Sequence, residues 1–481
     1  MAGNLEWHLK FKEGQELDYA TENKPYADSL NYSDVGGELA QGFMPDSEDP
    51  SDVQTDKVVR FCPRATLKAL KRTKLKPVAW LEEGCFIEDG RWLARQRSEA
   101  LTAYDLFCKL GQPRYKIRLS SGSAGTSGLY LPSSAPSNPY EMSEDNPDAE
   151  RRLIFVTDLD EWSIYALISR VSENQAFGLR AAIFRYLAYE TFIGATITEK
   201  GMWTFRLEFH LPYYAWRISE TPIQDPRQYA DKDPLRDTRD VSFLRWDTLN
   251  PGPAHLNEAQ ISCVVAGIDD RRWEAYCFVE TYFDSGEAVE ESVIKYQEDS
   301  IESAPFYGDP LTKGKEDAAM PIADPREYFL RVFCIRLQQV RGEWQRVVEN
   351  VYQSERRYLK RHAALLSPRS SSEGTELHNQ HIQEALSYSR NARQLSKHLL
   401  HTLSKTVVAC ERFLDDDAIT FQDLPESENG GRSIPNIKQT LRVLQALKQT
   451  LEGVARECEE VTRDVSATPK DLWIKLIWPI C

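Results

Sequence analysis

The sequence predicts an α+β / α/β fold: a central mixed-sheet domain, then long antiparallel C-terminal helices forming a bundle or a stalk, behind a disordered acidic N-terminal tail. Three observations predict it. Runs of β-branched and aromatic residues crowd the stretch 151–322. Apolar residues recur at coiled-coil spacing through 323–481. Residues 1–56 hold 13 acidic and 3 basic side chains, so a net of -10 out of the chain's -15 sits in the first 56 residues.

Taken in order, the tail is punctuated by Gly, Pro, Ser and Asp, repels itself and offers little to bury. Residues 57–119 read as a small basic helical region. Arg60, Arg64, Lys68, Lys71, Arg72, Lys74 and Lys76 occur with no acid between them, and Phe61, Leu67 and Leu70 give an apolar side. Such a helix suits an anionic surface, or pairs with the acidic tail upstream, the preferred reading. Helical pattern resumes from Arg91 to Leu110, with Leu93, Leu101, Leu106 and Phe107 as core candidates. Residues 120–150, rich in Ser, Gly and Pro, form a linker, and their glycines lack the Lys-Ser/Thr pair of a phosphate loop.

In the α/β domain, 151–322, Leu153 to Val156 is a strand and 161–190 is helical, with Ile164, Leu167, Ile168, Leu179, Ile183, Phe184 and Leu187 on one apolar face. Phe192–Ile197, Trp203–Leu211, Ile261–Ile268 and Trp273–Phe283 read as strands. Strict alternation of Trp203, Phe205, Leu207, Phe209 and Leu211 with polar residues predicts a half-buried strand. The Pro- and Asp-rich stretch 219–258 reads as a surface excursion.

In the helical bundle, 323–481, Asp324-Pro325 is a helix start: Asp caps free N–H groups and Pro at the first position forfeits nothing. The seam Phe333, Leu337, Val340, Trp344, Val347, Val351 is spaced 4, 3, 4, 3, 4, and Tyr358 and Leu365 extend it. A break at 367–374 precedes a second helix over 376–414. After Pro425–Pro435, a third carries Ile437, Leu441, Leu444, Leu447, Leu451, Val454 and Cys458. Three such helices with short breaks predict an antiparallel bundle. Protein partners, or a second copy, are expected along the Phe333–Val351 seam or the third helix.

Composition narrows the functional classes. Hydrophobic residues at 41% and charged residues at 28% supply real cores. The negative balance argues against nucleic acid as the main partner. Nine scattered cysteines without a CxxC pair point to buried thiols in a reducing compartment, hence a cytoplasmic location. No run of 18 apolar residues is present. The C-terminal Leu472–Ile480, with Trp473 and Trp478, is too short to span a bilayer; it suits a bundle cap or a membrane-peripheral contact.

One enzymatic constellation stands out. A strand ending in Asp158-Leu159-Asp160 resembles the way haloacid-dehalogenase-type phosphohydrolases present a nucleophile and its neighbouring acid. A later strand ends in Asp269-Asp270, where such enzymes hold magnesium, and Lys200 or Lys232 would neutralise charge between them. Trp162 departs from that pattern, which has a small residue there. The preferred reading makes Asp160 the cap of the next helix. The pairs His378/His381 and His398/His401 are spaced for one helix face, yet lie 20 residues apart and do not share a zinc site on one helix. No dinucleotide fingerprint or nucleophile elbow occurs, so no cofactor is expected.

The stretches 152–167 (RLIFVTDLDEWSIYAL), 207–217 (LEFHLPYYAWR), 259–269, 273–284 and 324–330 (DPREYFL) resemble a large set of uncharacterised fungal proteins, some of them CorA-like, of the metal-ion transport type. The resemblance covers about 150–480. It implies an α/β domain followed by a very long helix. The two membrane spans and the Gly-Met-Asn motif of CorA do not occur here, so ion conduction is not carried over. The sequence thus favours a non-catalytic interaction or assembly protein acting through its C-terminal helices. A membrane-associated CorA-like protein without its spans is the first alternative, and a magnesium-dependent phosphohydrolase the second.

Overall fold

The computed structural model describes residues 7–30, 36–45, 52–72, 76–87, 90–96, 99–116, 147–244, 252–284, 291–302, 306–365, 375–424 and 432–467. Eight strands form one mixed sheet. They are β1 (Ala79–Phe86), β2 (Trp92–Gln96), β3 (Arg151–Thr157), β4 (Phe192–Lys200), β5 (Met202–Ile218), β6 (Thr238–Asp240), β7 (Ala254–Gly267) and β8 (Trp273–Val279). Their order is β2-β1-β3-β8-β7-β5-β4, with β6 paired to β7. Only β3 and β8 run parallel; the other named neighbours are antiparallel.

The described helices are α1 (Leu9–Glu13), α2 (Tyr19–Glu22), α3 (Gly36–Phe43), α4 (Asp52–Phe61), α5 (Leu67–Arg72), α6 (Ala103–Leu110), α7 (Glu161–Ile168), α8 (Glu173–Leu187), α9 (Val293–Glu302), α10 (Pro325–Leu365), α11 (Thr375–Arg412) and α12 (Ser433–Ala467). Strand alternation sorts the sheet's side chains into two apolar cores. Leu153 and Phe155 join Phe205, Phe209 and the long helices on one face, while Ile154 and Val156 join Leu106, Ile164, Leu179 and Ile183 on the other. A Cβ on Gly178 would stand 2.7 Å from the Ala266 methyl, so glycine lets α8 lie close over β7. The result is three layers: α3–α8, the sheet, and α10–α12.

The long helices match the periodicity. Asp324 accepts from the backbone N–H groups of Arg326 and Glu327 and so caps α10. The seam from Phe333 to Val351 is fully buried against β5 and α12. Arg393–Glu459 and Gln445–Glu411 contacts set α11 and α12 antiparallel, and the Tyr358–Tyr388 stack (centroids 3.6 Å) together with the Phe333–Phe413 contact (5.4 Å) at the C-terminal end of α11 does the same for α10 and α11. A single π-turn, Phe413–Asp417, closes α11.

Four expectations are corrected. First, the described parts of the acidic tail are folded: Trp7 and Phe11 enter the sheet core, and Leu39, Ala40, Phe43 and Met44 enter the other. The charge count hid these few large apolar side chains. Second, the basic region supplies β1 and β2, so Trp92–Gln96 is a strand and Leu93 is 45% exposed. Arg60 pairs with Asp231 on the excursion. Third, the excursion is anchored: Asp225, Arg227 and Arg236 are buried with Glu280, and the chain re-enters the sheet at β6 and β7. Fourth, β5 is covered on both faces, since α8 lies over the side that alternation assigned to water. Expectations for most of the 120–150 linker and for Trp473–Trp478 fall outside the described residues.

Candidate functional site: the helical arm and the cleft at its root

The four candidate catalytic carboxylates do not converge. Asp158 follows β3 with φ 51°, a left-handed conformation that Asp tolerates better than most residues. Its Oδ1 accepts from the N–H groups of Thr281 (2.8 Å) and Tyr282 (3.1 Å), and its Oδ2 from Thr281 Oγ1 (2.7 Å). Asp160 caps α7, accepting from Ser163 N at 2.8 Å. Burial raises the pKa of both carboxyls. Asp269 accepts from the backbone of Arg271 and Arg272 and pairs with the Arg272 guanidinium. Asp270 accepts from Trp7 Nε1 at 3.0 Å; burial and the nearby Asp324 push it up to about 6.

Register explains the dispersal. Thr157 pairs with Val279, whereas Arg151 pairs with Trp273, which pairs with Gly267. Asp158 and Asp269 therefore leave opposite ends of the sheet, roughly 20 Å apart along a seven-residue strand. No single phosphoryl group reaches both, and the phosphohydrolase constellation is withdrawn. Lys232 lies on the excursion with φ 72°, and the Lys200 side chain is outside the described set. His398 Nε2 lies 2.8 Å from Tyr214 Oη while His401 faces solvent; the His378 and His381 side chains fall outside the described set. Among the described residues, no group of three His, Cys, Asp or Glu side chains is placed to hold a metal.

A constellation the sequence did not suggest lies on β5 and β7. Ser262 Oγ is 2.9 Å from His210 Nδ1, and His210 Nε2 is 3.0 Å from Glu208 Oε2. Burial opposes ionisation of Glu208, but the His210 hydrogen bond and the Arg206 and Arg185 guanidiniums outweigh it and hold the carboxyl at about 2. Burial lowers the His210 pKa against the pull of Glu208. The contacts resemble a nucleophile–base–acid relay. All three side chains are sealed beneath α8, however, with exposures of 0 to 1%. A substrate carbonyl has no approach to Ser262, so the trio acts as a polar lock between sheet and helix. The polar alternation Arg206-x-Glu208-x-His210 was its signal, masked because it read as a solvent face.

An accessible cleft of about 540 Å³ opens where β5 ends, between the turn after β8 and α10. Arg217 spans it, donating to Asp284 Oδ1 (2.6 Å) and to both Glu343 oxygens (3.1 and 3.3 Å), with its guanidinium 4.8 Å from the Phe283 ring. Glu291 on the opposite wall accepts twice from buried Arg336, each at 3.0 Å. Asp158 shapes the wall indirectly, because it pins Thr281 and Tyr282 just before Phe283. Charges here are neutralised in pairs, so the cleft is polar without a net field. It also joins the sheet to α10 where that helix leaves it.

Beyond Glu343, α10 continues for 22 residues to Leu365, roughly 33 Å. There α10, α11 and α12 pack on one another through Ser354, Tyr358, Tyr388, Val454 and Cys458. The outward side of α11 carries Arg390, Gln394, Lys397, His401, Lys405, Val408 and Arg412, all exposed. The seam named in the sequence is thus consumed inside the chain.

No family model matches the sequence, and no curated protein matches it. Among solved structures, the chain has a distant match to the soluble domain of CorA from Methanocaldococcus jannaschii, with 10% sequence identity and a TM-score of 0.31, over 66% of this chain and 89% of that one. No helix among the described residues is long and apolar enough to cross a membrane.

Proposed function

We propose that this protein is a non-catalytic interaction or assembly protein that docks partners along the outer faces of its C-terminal helices. One observation supports this above the others: helices α10 and α11, of 41 and 38 residues, pack on the sheet at one end and continue beyond it, and the 35-residue α12 packs along both of them. A rigid arm of that kind presents a preformed surface at little ordering cost. Lys397, Lys405, Lys438 and Lys448 on α11 and α12 serve as reporters. In-cell lysine cross-linking of the full chain is expected to place intermolecular links on these residues. Links confined to the α3–α8 face would sink the reading.

A second reading, membrane-peripheral attachment of a CorA-like protein, draws on the apolar sequence Leu472–Ile480 that follows α12. Flotation of the full chain with liposomes, compared with a Trp473→Ala/Trp478→Ala variant, tests it. Equal failure of both proteins to float would remove it.

A further inference from the structure

We infer that the exposed ridge of α11 is a docking track for an acidic amphipathic helix of a partner protein, an inference that rests on the interaction reading above and names the partner's chemistry.

The ridge occupies one helical stripe. Arg390, Lys397, Lys405 and Arg412 recur at intervals of 7, 8 and 7 residues, with Gln394, His401 and Val408 filling the turns between. All seven are exposed, and Val408, an apolar residue in the middle of the line, is 47% exposed. No acidic residue falls on this stripe between Arg390 and Arg412. That is a local concentration of positive charge on a chain whose net is -15. The helix beneath is fixed along this length: Leu395, Leu399, Leu403, Val407 and Cys410 are buried on the inner side.

Spacing selects the partner. One cation every two turns, roughly 11 Å, matches carboxylates repeating by heptads on an adjacent helix, as in the flanking positions of a coiled coil. Phosphates on a nucleic-acid strand and headgroups on a membrane are denser than this and reward clustered cations. Exposed Val408 gives a packing helix one apolar contact between flanking ion pairs. Acidic residues bracket the track, Glu384 at one end and Asp415 and Asp416 at the other. They favour a partner whose acids sit in its middle and whose ends are neutral or basic, which limits the track to about 22 residues, roughly 33 Å. On the flank facing the sheet, Arg239 and Asp237 lie near His398 and leave that side balanced. On the other, Arg393 is paired with Glu459 and Glu411 is held by Gln445.

The test uses the full chain and three synthetic probes. These are a 24-residue helical peptide with Glu at heptad spacing and basic ends, a proline-interrupted permutation of the same composition, and phosphatidylserine vesicles. Fluorescence anisotropy is expected to give at least about tenfold tighter binding for the helical peptide than for the permutation. An Arg390→Glu/Lys397→Glu/Lys405→Glu variant should lose at least about tenfold while melting as the parent does, since these side chains face water. A charge-swapped helical peptide should then restore binding to that variant. Equal binding of the permuted peptide, indifference to the charge reversal, or ridge-dependent binding of the vesicles in place of the peptide would each overturn the assignment. If the charge reversal is silent while cross-links still fall on α11 and α12, only the ridge assignment fails. If those cross-links are also missing, the interaction reading fails with it.

Discussion

Asp158 draws its importance from three hydrogen bonds rather than from chemistry on a substrate. Its carboxylate organises the turn after β8, and losing it orphans buried donors on Thr281 and Tyr282. An Asp158→Ala variant is expected to lose about 2–3 kcal/mol in urea unfolding. A loss below about 0.5 kcal/mol would show the turn to be self-supporting. Glu355 is the opposite case, a carboxyl set where ionisation is unwelcome. It is 1% exposed on α10, its Oε1 has no partner, and Glu457 of α12 faces it. Tyr388 on α11 and Cys458 on α12 lie near it, with Tyr358 beside Tyr388 and Arg393 beside Cys458. Burial, then the Glu457 hydrogen bond and charge, push the Glu355 pKa from 4.5 up to about 8. A folded pKa above the unfolded one means the folded arm holds the proton more tightly. This contribution to stability is full below about pH 4.5 and is lost as pH rises through about 8. The Glu355→Gln variant should therefore melt higher than wild type at pH 9, with a smaller difference at pH 5. Parallel melting curves across that range would refute the assignment.

At the scale of elements, the seam and the ridge make contrasting demands. Trp344 is wholly buried, edge-on to Tyr214 with centroids 5.8 Å apart. Trp344→Ala is expected to cost about 3–5 kcal/mol, whereas Lys405→Ala on the opposite side of the bundle should stay within about 0.5 kcal/mol. Chemical denaturation of the two variants separates an inner seam from an outer track. Gly342 lies within α10 at the cleft, where an added Cβ would meet nothing within 4 Å. Gly342→Ala should stabilise by about 0.5–1 kcal/mol, the ordinary helix preference. A loss of stability there would mean that the bare backbone is needed for another reason.

Across the whole molecule, the N-terminal segment straps distant parts together. Trp7 meets Phe205, Asp270 and the Arg326 guanidinium, and Lys12 reaches Asp423. Replacing Trp7 and Phe11 by Ala should cost several kcal/mol, about 3 for each ring, and speed trypsin cleavage at Lys10 and Lys12. A mobile tail would show no change in either measurement. Legibility of the fold followed the range of the interactions. The 4-3 spacing from Phe333 to Val351 and the alternation from Trp203 to Leu211 are properties of neighbouring residues, so helix and strand were both readable there. The Asp324 cap was readable for the same reason. The candidate site was not, because Asp158 and Asp269 look alike at their strand ends and only the β3–β8–β7 register sends them to opposite ends of the strands.

By itself, then, the sequence determined most of the kinds of element and their order from residue 151 onward, since backbone periodicity and capping are decided within a few residues of chain, whereas β1 and β2 read as helix. The tertiary structure alone decided what covers each face. It placed α8 over Glu208 and His210, drew Trp7 into a core hundreds of residues away, and turned the α10 seam inward and the α11 cations outward. Burial depends on which remote segment arrives, and no local pattern encodes that.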